Sequence, residues 1–269
     1  MRQIAALLPL FFIACNSVFY QGDQKRWYPP EDFNINCSRR PIATADGTSL
    51  MTMFCPAKGK TNRGIIIQFH GNAQNMNAHY RFLSWLIEEG YSLATFDYRG
   101  YGESTGESSR DGLRLDAQAF VREVRRQYSN ERRIFYGQSL GGAVLMRTLI
   151  DEGLREDETY IFEGTFLSYQ AVARTALASR WLLWPLQLLA WVLVTDTHAP
   201  DDDASAFAGK RVILIHGEAD PVVPISHGEK ISRTMQQPLW RIKGGRHLDT
   251  WHIEHGRLRA ELLQKLAEK

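Results

Sequence analysis

The 269 residues carry 32 Lys and Arg against 30 Asp and Glu, a formal charge of +2, which excludes the basic stripe of a nucleic-acid binder and the unbalanced charge of a disordered chain. An apolar fraction of 44% with 11% aromatic residues is enough for the core of one large α/β domain. Internal repeats and low-complexity tracts are absent from the sequence.

Met1-Arg2-Gln3 followed by the apolar Ile4–Ala14 has the positive-then-apolar order of an export signal and is too short to span a bilayer. It ends in Phe12-Ile13-Ala14-Cys15, which resembles a bacterial lipobox. That resemblance implies removal of residues 1–14, acylation of Cys15, and a protein held by lipid at a membrane of the cell envelope. Asn16 stands where an aspartate would mark inner-membrane retention, so the outer membrane is the expected address. Asn16–Trp27 is polar and aperiodic and reads as a tether of at most ~40 Å, at about 3.4 Å per residue. The main domain is expected over residues 28–269.

Two strand-like segments follow Tyr28-Pro29-Pro30: Phe33–Ala45 and Ser49–Cys55, joined at the turn signal Asp46-Gly47. Cys37 and Cys55 flank that turn. With one bulged residue they come face to face, and an oxidising compartment would allow a cross-strand disulfide. Two separate buried thiols fit the same pattern.

A βα rhythm then sets in. Gly64–Phe69, with Ile65-Ile66-Ile67, is the continuous apolar run of a strand buried on both faces. A helix is expected over Met76–Glu88, a strand over Ser92–Phe96, and an amphipathic helix over Leu113–Tyr128, with Leu113, Ala117, Phe120, Val121 and Val124 on one face. Arg133–Tyr136 is a strand and the helix after it stops at Gly153. Tyr160–Glu163 and Arg211–Ile215 are strands, Pro224-Ile225 opens a helix, and Leu239–Ile242 and Trp251–Leu266 are the last strand and helix. The pattern predicts a mostly parallel sheet covered on both faces, with an antiparallel pair at its start. Phe166–Phe207 breaks the rhythm. Its tryptophan-rich centre, Trp181–Val194, reads as a helical cap that lines an apolar pocket or meets a bilayer surface.

The candidate chemistry lies where three strands end. Gly137-Gln138-Ser139-Leu140-Gly141 places a serine between glycines at a strand-to-helix turn, the pattern of a nucleophile elbow. A serine hydroxyl needs a base to take its proton and a third group to orient that base. Asp220 follows the strand ending at Ile215, and His247 follows the last strand. Open α/β sheets build their sites at such strand ends. Glu163 and Asp249 are alternative acids. The Leu140 amide, and that of Asn72 in His70-Gly71-Asn72-Ala73, are the expected oxyanion donors, with Ala73 the next choice. His70 and His216 read as loop-shaping. The scattered histidines make no convincing metal set, so neither a metal nor an organic cofactor is expected.

His70-Gly71-Asn72-Ala73, Asp97-Tyr98-Arg99-Gly100-Tyr101-Gly102, the elbow, His216-Gly217 to Pro224 and Gly244-Gly245-Arg246-His247 together resemble the α/β-hydrolase superfamily, in particular its Bem46-like members related to the S33 serine aminopeptidases. The resemblance runs from about residue 28 to the C-terminus. It implies an α/β-hydrolase fold with Ser139 as nucleophile, Asp220 as acid and His247 as base, acting on esters, thioesters or lipids. The expected activity is hydrolysis of a carboxylic ester of an acyl or lipid-like small molecule. A thioesterase, an acyltransferase and an aminopeptidase are the alternatives on the same triad, and a lipid-binding protein without activity is the alternative outside catalysis.

Overall fold

The runs Ile65–Phe69, Ser92–Phe96, Arg133–Gln138 and Glu158–Glu163 are buried along their whole length, as strands covered on both faces must be. In the computed structural model, which describes residues 20–59, 61–178, 194–253 and 256–268, they form the centre of an eight-stranded sheet. Its strands are β1 (Ser38–Ala43), β2 (Ser49–Cys55), β3 (Ile65–Phe69), β4 (Ser92–Phe96), β5 (Arg133–Gln138), β6 (Glu158–Glu163), β7 (Val212–Gly217) and β8 (Leu239–Ile242). They lie in the order β1-β2-β4-β3-β5-β6-β7-β8. β2 runs antiparallel to both neighbours, and every other pairing is parallel.

Neighbouring residues of a strand face opposite sides, and the core divides accordingly. Ile65, Ile67, Phe69 and Phe135 point to one face; Ile66, Ile134 and Tyr136 point to the other. The first face is covered by α3 (Arg110–Gln127) and α4 (Leu140–Glu152), joined by α5 (Tyr169–Ala178) and α6 (Ile225–Met235). α1 (Met76–His79), α2 (Trp85–Glu88) and α7 (Arg257–Ala267) cover the second. All five apolar residues expected on one side of α3 are buried, and Ser109 caps its start by accepting from the Gly112 amide at 3.1 Å.

Four local expectations are corrected. The strand expected over Phe33–Ala45 begins only at Ser38, because Pro29-Pro30 opens a 3₁₀ turn over Pro30–Phe33 instead. The helix expected over Met76–Glu88 is interrupted by a 3₁₀ turn at Tyr80–Phe82. Tyr80, Leu83 and Leu86 are all fully buried, and a three-residue period keeps such a row on one line where an α-helix would fan it out. Before the last helix comes a separate 3₁₀ turn, Thr250–His252, with α7 starting only at Arg257. Finally, the segment Tyr20–Trp27 does not hang free as a tether. Tyr20 is buried, and Gly22 bridges to Gln74 in the loop after β3.

The hairpin of β1 and β2 turns through Thr44–Thr48, with Gly47 at φ 81° and its amide donating to Thr44 O. The strand register pairs Ser38 with Phe54, which places Cys37 opposite Cys55, and the two are joined as a disulfide with Cα atoms 4.2 Å apart. Cys15 and, apart from Val194, the apolar centre expected at Trp181–Val194 lie outside the described residues.

Candidate active site

β5 ends at Gln138 and α4 begins at Leu140, so Ser139 must reverse the chain in a single step. It does so at φ 51°, ψ −122°, a region that costs a side-chain-bearing residue of order 1–3 kcal/mol and persists only where neighbours enforce it. The neighbours are explicit. The Ser139 amide donates to Glu163 O at 3.0 Å, and its carbonyl accepts from Thr165 Oγ1 at 2.7 Å. Gly141 lets α4 press on the end of β3: a Cβ there would stand 2.2 Å from Phe69 O and 2.4 Å from His70 O.

The structure brings Ser139, His247 and Asp220 together. His247 Nε2 lies 3.0 Å from Ser139 Oγ and accepts its hydroxyl, while Nδ1 donates to Asp220 Oδ2 at 2.7 Å. The other carboxylate oxygen, Oδ1, accepts from the amides of Val222 and Val223 at 2.8 and 2.9 Å, which fixes the Asp220 plane and leaves Oδ2 for the imidazole. Asp220 is buried, whereas the His247 side chain keeps 19% of its surface exposed, the arrangement expected of a base that must meet substrate. Asp249, the alternative acid, turns back instead and accepts from the Arg246 amide at 2.8 Å, bracing the histidine loop. Leu248, directly after His247 in that loop, is also held at positive φ, 57°.

Glu163, the other alternative, lies beneath the elbow. Its Oε2 accepts from Tyr136 Oη and Gln138 Nε2, both at 2.9 Å, and Trp251 Nε1 donates to Tyr136 Oη at 3.1 Å. Burial pushes the Glu163 carboxyl above its ordinary range. This polar cluster joins the elbow to the segment after His247. Sequence reasoning missed it; a Gln and a Glu ending adjacent apolar strands were the available signal.

The loop Gly71–Asn75 crosses above Ser139, with a Cβ on Gly71 reaching within 3.5 Å of Ser139 Cβ. Internal donors take its carbonyls: His70 Nδ1 donates to Gly71 O and His79 Nε2 to Ala73 O, both at 2.8 Å. Both rings are buried, and burial pulls them down to about 3 for His70 and about 4 for His79, so both are neutral at pH 7 and shape the loop. His216 does the same one loop away, donating from Nε2 to Val223 O at 2.7 Å. Among the described residues, no group accepts from the amides of Asn72 or Ala73. The Leu140 amide starts a helix and so has no partner within that helix.

The family model described as "Serine aminopeptidase, S33" matches residues 60–207, more than half of the chain. This protein belongs to the S33 family of α/β-hydrolases. Its relatives agree. The uncharacterized protein YfhR of Escherichia coli K12 is 32% identical, over 91% of this chain and 84% of YfhR. Protein bem46 of Schizosaccharomyces pombe is 27% identical, over 77% of this chain and 69% of its own. The lysophosphatidylserine lipase ABHD12 of Danio rerio is 28% identical, over 64% of this chain but 47% of its own length. Among solved structures, the Pyrococcus furiosus esterase Pf2001 superposes with a TM-score of 0.70 at 18% identity, covering 93% of this chain and 97% of that one; that likeness establishes the fold. For this S33-family chain, the Bem46-like resemblance and the α/β-hydrolase fold read from the motifs are therefore right.

Proposed function

We propose that the protein is a serine hydrolase that cleaves carboxylic esters of acyl or lipid-like substrates through an acyl-enzyme. The observation that carries this reading is the unbroken line from Asp220 Oδ2 through His247 to Ser139 Oγ, at 2.7 and 3.0 Å. Ser139 Oγ attacks the ester carbonyl carbon as its proton passes to His247 Nε2. Asp220, held by two amides, stabilises the imidazolium through Nδ1. The negative oxygen is received by the amides of Leu140 and Asn72, each such donor being worth about 2.7–4 kcal/mol of barrier. His247 then returns the proton to the departing alcohol. In the second half, it deprotonates the water that releases the acid and regenerates Ser139.

The lipid-like substrate rests on two supports. One relative bears the name of a lysophospholipid lipase, and Val222, beside Asp220, is an exposed large apolar residue at 51%. In the same reading Cys15 is acylated and anchors the enzyme at a membrane of the cell envelope, the outer one. Tyr20, five positions further on, is packed beside the catalytic loops. The intervening chain reaches at most ~17 Å, at about 3.4 Å per residue, which favours substrates drawn from that bilayer.

The test is fluorophosphonate labelling of wild type beside Ser139→Ala, followed by esters of rising acyl length and matched thioesters. Wild type is expected to label and Ser139→Ala to remain blank. A folded wild type that does not label removes the hydrolase mechanism, and equal labelling of Ser139→Ala removes the assignment of the nucleophile. Cys15→Ala is expected to leave the membrane fraction.

A further inference from the structure

The segment Gln21–Trp27 crosses the loop Gly71–Asn75 and engages it at three successive levels. At the first, Asn72 Oδ1 accepts from the Gln21 amide at 2.9 Å and from Tyr101 Oη at 3.0 Å. At the second, both backbone groups of Gln74 pair with the segment: Gln74 N donates to Gln21 O and Asp23 N donates to Gln74 O, each at 3.2 Å. At the third, Asn75 Nδ2 reaches Asp23 O, Asp23 Oδ1 and Lys25 O at 3.0, 2.9 and 2.8 Å, while its Oδ1 accepts from the Asn77 amide at the start of α1.

These contacts fall where the loop is least able to hold itself. Gln74 sits at φ 66°, a left-handed conformation that costs a residue of its kind roughly 1–2 kcal/mol, and its two backbone groups are those the segment occupies. With its side-chain oxygen taken by Gln21 and Tyr101, Asn72 is fixed next to Gly71, where a Cβ would stand 3.5 Å from Ser139 Cβ, and among the described residues no group accepts from its amide. The segment is itself tied down. Asp23 accepts from Lys25 N at 3.0 Å and Trp27 Nε1 at 2.9 Å, and its carbonyl accepts from Gly102 N at 2.8 Å. Gly22 lies so close to Tyr101 that a Cβ would stand 2.5 Å from its ring.

We propose that Gln21–Trp27 is a strap that positions the oxyanion loop, with Asp23 as its central positioning residue, so that the N-terminal segment is part of the catalytic apparatus. The inference rests on the hydrolase reading above, since only a reaction that develops an oxyanion needs the amides of that loop held in place. A strap that merely added packing would alter stability; a positioning strap alters turnover at constant affinity.

Two unlatching variants test it in the full chain: Gly22→Val, which forces the segment off Tyr101, and Asp23→Ala, which removes the side-chain latch. The measurements are steady-state hydrolysis of p-nitrophenyl butyrate, thermal unfolding, and amide hydrogen exchange over residues 71–75. The expected result is a fall in kcat of about 10- to 100-fold with KM within about twofold, together with faster exchange in the loop. Asp23→Asn, whose Oδ1 accepts from the same donors, restores turnover. Folded unlatching variants with wild-type kcat, or a loss confined to KM, overturn the proposal. If Gly22→Val does not fold, Asp23→Ala decides. Should wild type neither label with fluorophosphonate nor turn over esters, the hydrolase reading is what has failed; unchanged loop exchange in the variants then overturns the strap independently.

Discussion

Asp97→Asn should make this protein more stable, and only above a defined pH. Asp97 and His70 are both fully buried, with His70 Nε2 3.6 Å from Asp97 Oδ1. His70 Nδ1 carries the proton that goes to Gly71 O, so Nε2 turns a lone pair toward the carboxyl. Asp97 Oδ1 accepts from the Met76 amide at 2.6 Å, but Asp97 Oδ2 and His70 Nε2 have no hydrogen-bond partner among the described residues. An ionised Asp97 therefore faces a lone pair in a fully buried place, and burial pushes its carboxyl up to about 7. The group's folded value lies above the 3.8 of the unfolded chain, so its contribution to stability is complete below about pH 4. It is lost as the pH rises through about 7. At 1.36 kcal/mol per unit, a gap of about three units is of order 4 kcal/mol. An asparagine cannot ionise and can still accept from the Met76 amide through its oxygen. Urea denaturation of both proteins from pH 4 to 9 is the assay. The two should be closely matched near pH 4, and the variant should gain by up to a few kcal/mol above pH 7. The downward pull of His70 on stability in acid is common to both proteins and cancels in the difference. A difference independent of pH, or a wild type that is the more stable at pH 8, would refute this account of the pair.

Gly141→Ala should disable the elbow rather than the triad chemistry, since the new Cβ would meet backbone oxygens at 2.2 and 2.4 Å that cannot move without shifting β3. The expected outcome is a stability loss of about 1–3 kcal/mol with much slower fluorophosphonate labelling; a fully reactive variant would mean that the elbow tolerates displacement. Replacing Cys37 and Cys55 by serine opens a cross-link between residues 18 positions apart. That should lower stability by about 3 kcal/mol in non-reducing urea melts while leaving kcat unchanged, because the bond lies at the edge of the sheet.

How much of this was legible in the sequence depended on range. β3 and β4 fall within a residue of where the apolar runs placed them, because burial on both faces writes itself into consecutive residues. The three residues that meet at Ser139 were legible because each follows a strand end, a position that topology converts into proximity. The 3₁₀ turn at Tyr80–Phe82 was not, because its apolar spacing fits three-residue and 3.6-residue periods almost equally well over so short a run. The strap was the larger failure. Gln21–Trp27 has the polar, aperiodic composition of a linker, and its partners lie about fifty positions away, as in the Asn75–Asp23 bond with a separation of 52. Hydrogen bonds of that range leave no periodic trace. The same holds for Glu163, whose partners Tyr136 and Gln138 come from another strand.

The site and the scaffold under it follow opposite rules. Three of the loops around the serine each hold a residue other than glycine at positive φ: Gln74 at 66°, Ser139 at 51° and Leu248 at 57°. Each is a local cost of order 1–3 kcal/mol, and each is met by contacts from elsewhere in the fold. Ser139 is held by Glu163 O and Thr165, Gln74 by the strap, and Leu248 by its burial. At the opposite end of β5 and β6 the buried charges are fully paired: Glu158 takes Arg125 at 2.7 Å and Arg133 at 3.2 Å, and the same arginines reach nearby carbonyls. One end of the sheet satisfies its polar groups and holds the strands in register; the other carries three strained turns around Ser139, where its hydroxyl and the His247 imidazole meet at 3.0 Å. Local propensity is therefore a poor guide at the end that carries Ser139, where the chain adopts conformations its residues disfavour. Motif spacing is a good one there, because it records the geometry that the strain is used to reach.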